Sequence, residues 1–150
     1  MVFFMLPRLF FLTLLFFLCS LRVVSAAAMS CVTQEGLEVC VQARGPVDLY
    51  HLLPHETTEL QMDMFFVTVK NQSARRFRID PVDFVGITEK GQKVRLDVPL
   101  FQSIELRTKL RKTDLGPGER VEGHLFFPSY VGRLQAIVHQ ARPYMQIRLY

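Results

Sequence analysis

The stretch LQMDMFFVTVKNQS, residues 60–73, decides the fold class. Phe65, Val67 and Val69 recur at every second position, with Met62, Met64 and Phe66 on the opposite parity. That is the period of a β-strand and not of a helix. Apolar residues on both parities in the first half predict a strand buried on both sides there, and Asn71-Gln72-Ser73 supplies the turn that ends it.

The same grammar extends in both directions. Upstream, Leu37, Val39, Val41 and Ala43 alternate with Glu38, Cys40, Gln42 and Arg44 up to Gly45-Pro46, which is expected to stop the strand. Downstream, Phe77 and Ile79 alternate with Arg76, Arg78 and Asp80, and Pro81 holds Asp80 extended. Residues 84–88 and 92–96 predict a hairpin about Glu89-Lys90-Gly91, and residues 121–127, 134–138 and 144–149 complete the series. Only residues 99–112 dissent. Leu100, Phe101, Ile104 and, less neatly, Leu110 approach helical spacing among Arg107, Lys109, Arg111 and Lys112, which fits a short amphipathic helix or an irregular strand-crossing loop. Short strands punctuated by Gly and Pro predict an all-β, antiparallel sandwich of about seven or eight strands with Greek-key connections.

The N-terminus carries an address. Residues 9–21 form an apolar run between Arg8 and Arg22, followed by the small residues Val24-Ser25-Ala26-Ala27-Ala28. A run of about 13 residues is short for a span that needs about 20. It reads as a signal helix over residues 1–26, cleaved after Ala26, leaving one domain over residues 27–150, with the membrane met only in transit. The compartment is then extracytoplasmic, periplasmic or secreted.

Export changes the meaning of charge and of cysteine. Arg8 and Arg22 leave with the signal while all 14 acids stay, so the whole-chain charge of +4 shrinks. A residual charge of about +2 is ordinary for a soluble domain and gives no nucleic-acid reading. Cys19 leaves too, and Cys31 and Cys40 remain as an even pair in an oxidising setting. A two-residue hairpin about Glu35-Gly36 pairs 34 with 37 and, counting outward, 31 with 40. That pair falls at a non-hydrogen-bonded position, where Cα atoms lie about 4.5 Å apart, within reach of a disulfide. Glu35 suits the first turn position poorly, so a longer loop with shifted register competes. The rival use of Cys31, lipidation after cleavage at Ser30, strands Cys40 and meets Met29 where a lipoprotein signal prefers otherwise.

Three segments carry a resemblance: Phe66-Val-Thr-Val-Lys-Asn71-Gln-Ser73, Phe77-Arg-Ile-Asp-Pro81-Val-Asp-Phe84, and Leu115-Gly-Pro-Gly-Glu119-Arg-Val-Glu-Gly123-His-Leu-Phe-Phe127. The chain resembles, over residues 36–149, the immunoglobulin-like domain family of small exported bacterial proteins of unknown function, similar to a secreted mycobacterial immunoprotective antigen. The resemblance implies an immunoglobulin-like sandwich and an extracytoplasmic setting, and it implies no catalytic residue. Its signatures are structural turns: Asn71 after a strand, and Gly116-Pro117-Gly118, which suits a type II turn with Pro second and Gly third.

Chemistry-bearing motifs are few. His51 and His55 have i, i+4 spacing, but Pro54 intervenes and no zincin motif follows. Asp80 and Asp83 flank a turn whose polar residues they supply. No nucleophile elbow or phosphate loop occurs, so the reading is non-enzymatic, without cofactor. The chemical alternative is a soft-metal, copper-binding envelope protein using Met62, Met64 and His51, His55, His124 or His139; the competing reading makes both methionines core filling. Arg75, Arg76, Arg78 and the cations of residues 107–112 form a basic face or simply solvated surface. Asn71-Gln72-Ser73 also matches a glycosylation sequon, which the turn explains. Apolar residues on both faces of several strands, among them Phe126, Val85 and Ile87, mark either a partner surface or a face covered by the segment up to Leu110. The partner expected is an unidentified envelope protein or surface ligand.

Overall fold

The computed structural model describes residues 28–48, 61–104 and 106–150. The expected signal segment 1–26, His51 and His55 lie outside the described residues. Strands β1 (Met29–Gln34) and β2 (Leu37–Asp48) form the hairpin about Glu35-Gly36, with Gln34 opposite Leu37 and Cys31 opposite Cys40. Glu35 takes the left-handed turn conformation at φ 51°, followed by Gly36 at 78°. The shorter of the two turns prevails, and the Glu35 carboxylate is held by Arg75 at 2.8 Å.

β2 does not stop at Gly45-Pro46. It continues to Asp48 through a bulge in which Ala43 faces Phe65 and Gly45 faces Met64 of β3 (Gln61–Asn71), leaving Arg44 as the extra residue. Gly45 bends the chain with a φ of 94°. Pro46 is tolerated because the β1 ladder ends at Gln42, so its missing N–H removes no bond between β1 and β2.

Three short elements follow: β4 (Phe77–Ile79), a 3-10 turn at Pro81–Asp83 and β5 (Phe84–Thr88). β6 (Lys93–Arg95) pairs with β5 across the expected Glu89-Lys90-Gly91 turn. Helix α1 (Val98–Ser103) comes next, then β7 (Thr113–Leu115), β8 (Arg120–Pro128), β9 (Leu134–His139) and β10 (Met145–Arg148). The described residues thus hold ten strands rather than seven or eight. Beyond the expected series stand β1, the first arm of the expected Glu35-Gly36 hairpin, and the three-residue β7, too brief for a period to show.

Two antiparallel four-stranded sheets, β1-β2-β3-β8 and β10-β9-β5-β6, form the sandwich, and β4 pairs with β7 as a separate ribbon. Between the sheets, Val39, Val41, Phe65, Val67, Val69 and Leu125 meet Phe84, Ile137, Met145 and Ile147, all essentially buried. Each such side chain contributes about 1.5–3 kcal/mol relative to exposure. Phe65 and Phe127 meet edge to face at 5.8 Å.

Helix α1 is a six-residue piece, so Ile104 is its C-cap and Leu110 lies outside it, correcting the wider helical pattern. Asp97 caps its start, accepting from the Leu100 N–H at 3.1 Å. Lys109 closes its end, its ammonium donating to the Phe101, Gln102 and Ile104 carbonyls at 2.9–3.1 Å. Thr108 and Leu110 then bond to both sides of the His124 peptide, adding a short edge to β8. Gly123 permits this crossing, since a Cβ there would sit 2.4 Å from the Leu110 nitrogen. Phe126 and Phe127 point to opposite faces and both are buried. Phe101 of α1 stacks against Phe126 at 6.3 Å, so the dissenting segment covers this apolar residue.

Candidate functional site

The turn residues singled out in the sequence converge at one end of the sandwich. Asn71 is fully buried at the end of β3. Its Nδ2 donates to the carbonyls of Arg75 at 2.6 Å and Leu115 at 3.1 Å, and its Oδ1 accepts from the Ser73 N–H and hydroxyl, both at 2.9 Å. Its backbone joins the same centre: the Asn71 N–H donates to Glu119 O at 2.9 Å, and Gly118 N–H donates to Asn71 O at 2.8 Å. Gly116-Pro117-Gly118-Glu119 closes with Glu119 N–H on Gly116 O at 3.2 Å, and Gly118 has φ +77° at the third position. The β1–β2 turn docks here as well, with the Gln72 N–H on Gly36 O at 2.7 Å. The carboxamide therefore ties its own turn to the chain entering the Gly116-Pro117-Gly118-Glu119 turn, and the Gln72 backbone brings in the β1–β2 turn. With both Nδ2 hydrogens used inside the protein, the sequon nitrogen is not offered to a glycan in the folded chain.

No cluster of three His, Cys, Asp or Glu side chains occurs among the described residues. Met62 is 2% exposed in the core cluster and Met64 packs partly buried beside it, so Met62 acts as filling. His124 stacks on Phe66 at 5.2 Å and turns Nδ1 toward Thr108. His139 is buried against Phe84, its Nδ1 3.2 Å from the Pro143 carbonyl, to which it must donate. Its Nε2 is buried without a hydrogen-bond partner. Burial lowers its pKa, opposed by the Pro143 bond and the Asp83 charge. For Asp80, burial pushes the pKa up but is outweighed by Lys112 at 2.7 Å, the Val82 N–H and Arg78, and the net direction is down.

The basic face expected along residues 107–112 does not form as a unit. Lys109 is occupied with helix carbonyls, Lys112 with Asp80, and Leu110 is buried. Arg75 is likewise drawn to Glu35 and the Phe77 ring.

Among the described residues, a concavity lies at one end of the second sheet. A depression of about 490 Å³ is lined by Glu89, Gln135, Ala136, Gln146, Arg148 and Tyr150. A smaller one of about 170 Å³ adjoins through Glu89, between residues 88–92 and Val131, Gly132 and Arg133. Arg133 braces the rim: its Nε donates to the Tyr150 hydroxyl at 3.0 Å and its guanidinium lies 4.2 Å from the ring centre. Two carboxamides, a carboxylate and an arginine give this surface hydrogen-bonding capacity with no nucleophile among them. The alternation of β10 places Gln146, Arg148 and Tyr150 on one face, which sequence reading sees. Gln135 joins them through the β10–β9 pairing and Glu89 through the β5–β9 pairing, neither of which has a local signal.

No family model matches the chain, and comparison with curated proteins finds no match. Among solved structures, the chain is similar to MPT63, a secreted protein from Mycobacterium tuberculosis, with a TM-score of 0.52 at 11% identity. The match covers 82% of this chain and 90% of that one. At this identity the likeness is one of fold alone.

Proposed function

We propose that this protein is an exported, non-enzymatic binding or structural module of the cell envelope, periplasmic or secreted after cleavage near Ala26. The observation that carries the proposal is the Cys31–Cys40 bond, which spans the β1–β2 hairpin with Cα atoms 4.0 Å apart. Structural disulfides persist in oxidising compartments, and this one stands directly behind an apolar run followed by small residues. The fold shared with a secreted mycobacterial protein supports the same setting. A bonded Cys31 leaves no thiol for an acyl chain, which favours a free domain over a lipoprotein. The depression about Gln135, Gln146 and Arg148 is the surface through which such a module would hold a polar partner.

Intact mass of the protein recovered from the envelope or medium tests this reading. A chain beginning near Ala27, two hydrogens lighter before reduction than after, is the expected result. A chain retained in the cytoplasm with residues 1–26 attached, or an acyl adduct on a chain starting at Cys31, overturns it.

A further inference from the structure

Along β10, Gln146 and Arg148 are exposed while Met145 and Ile147 fill the core, so the larger depression opens on the outer face of the second sheet. A bulge shapes it. Ile87 of β5 faces Ala136 of β9, and Thr88 faces Leu134, which leaves Gln135 as the extra residue. Bulges re-aim a side chain out of the strand's alternation. Gln135 and Ala136, neighbours in sequence, consequently line the same hollow. Ala136 stands between Arg148 on one side and Ile87 on the other and is 1% exposed. One methyl group among longer side chains makes the floor.

Around that floor stand four flat polar groups, each able to make two hydrogen bonds side by side. They are the Gln135 and Gln146 carboxamides, the Glu89 carboxylate and the Arg148 guanidinium, all on exposed residues. Tyr150 adds a ring at the rim. Arg133 holds its hydroxyl and lies over one face, yet the residue is 68% exposed. The lining thus carries donors and acceptors in near balance, with one acid and one base. An anion is opposed by Glu89 and a cation by Arg148, whereas an apolar ligand takes the carboxamides out of water without replacing their bonds.

We propose that this depression is a saccharide site whose ligand is an uncharged glycan. The proposal rests on the reading of this surface as the place where the module holds a polar partner, and it names that partner's chemistry. Vicinal hydroxyls are donors and acceptors at once, so each pair matches one flat bidentate group, while the C–H face of a pyranose ring lies on Tyr150. A hollow of about 490 Å³ has room for a short saccharide. A zwitterion could use Glu89 and Arg148, but it leaves both carboxamides idle.

Titration of the purified, disulfide-intact protein with maltotriose, cellotriose, mannotriose and chitotriose, followed by amide NMR shifts, tests the proposal. At least one of the four should saturate with a dissociation constant between about 10 μM and about 10 mM. The shifts should centre on Glu89, Gln135, Ala136 and Arg148, and the affinity should be the same at low and high salt. Gln135→Ala and Gln146→Ala, both at exposed positions, should each weaken binding about threefold to tenfold. Arg44→Ala, on the other sheet, should not. Glycylglycine serves as the zwitterionic control: a response to it and to none of the sugars overturns the proposal. So does silence toward all four sugars at about 50 mM, a set of shifts elsewhere on the surface, or an affinity indifferent to both glutamine variants. A silent titration leaves the intact-mass result standing, and a retained segment 1–26 leaves a positive titration standing, so the two readings fail separately.

Discussion

Asn71 spends both of its side-chain hydrogens on main-chain carbonyls of two different loops, so its contribution is one of satisfied polarity in a dry place. Asn71→Ala strands the Arg75 and Leu115 carbonyls, and stability by urea unfolding should fall by about 2–3 kcal/mol. Asn71→Asp should do no better, because a carboxylate has nothing to donate. The sequence marked Asn71 and Gly116-Pro117-Gly118 as separate turns; their meeting lies between β3 and β8 and has no local trace. His139 makes a second prediction. Its folded pKa is lowered by burial, so as pH falls below about 6.5 the unfolded chain takes a proton that the folded chain refuses. Stability should therefore decline from near pH 6.5 downward until the folded pKa is passed, and His139→Leu should remove that limb from a pH series of thermal midpoints. Asp80, whose folded pKa is also lowered, adds a further loss only below about pH 4.

At the scale of elements, the dissenting segment shows what periodicity sees and what it misses. Leu100, Phe101 and Ile104 carry a helical signal, and a helix exists there, but it stops at Ser103 because nothing beyond it continues the ladder. Its ends are held by Asp97 in front and Lys109 behind, and Lys109 reads in sequence as one more member of a cation run. Lys109→Met should cost about 1–2 kcal/mol, reduced from a buried charged bond because the ammonium is partly exposed. Proteolysis within residues 98–110 should accelerate in parallel, since α1 is the cover over Phe126. Unchanged cleavage alongside lowered stability would mean that Lys109 acts elsewhere. Gly45-Pro46 illustrates the converse error. Both residues look like strand breakers, yet the bulge and the end of the β1 ladder at Gln42 absorb them.

For the whole molecule, the Cys31–Cys40 bond should contribute roughly 2–3 kcal/mol by restricting the unfolded chain, so the double variant Cys31→Ser, Cys40→Ser should lower the urea midpoint without changing the fold. A midpoint unchanged by the double variant would assign the bond no part in stability. The all-β class and the type II turn at Gly118 were set by the sequence alone, and the hairpin about Glu35-Gly36, with the register that brings the two cysteines together, was one of the two readings it allowed. Each depends on a period of two or on backbone preferences acting within a few residues, and such local terms are written where they act. The carboxamide centre at Asn71, the polar depression joining Glu89 to Arg148 and the covering of Phe126 were decided only by the tertiary structure. They arise from which strands become neighbours, a choice made by the summed burial of two sheet faces and not by any one segment, so no stretch of the chain announces them.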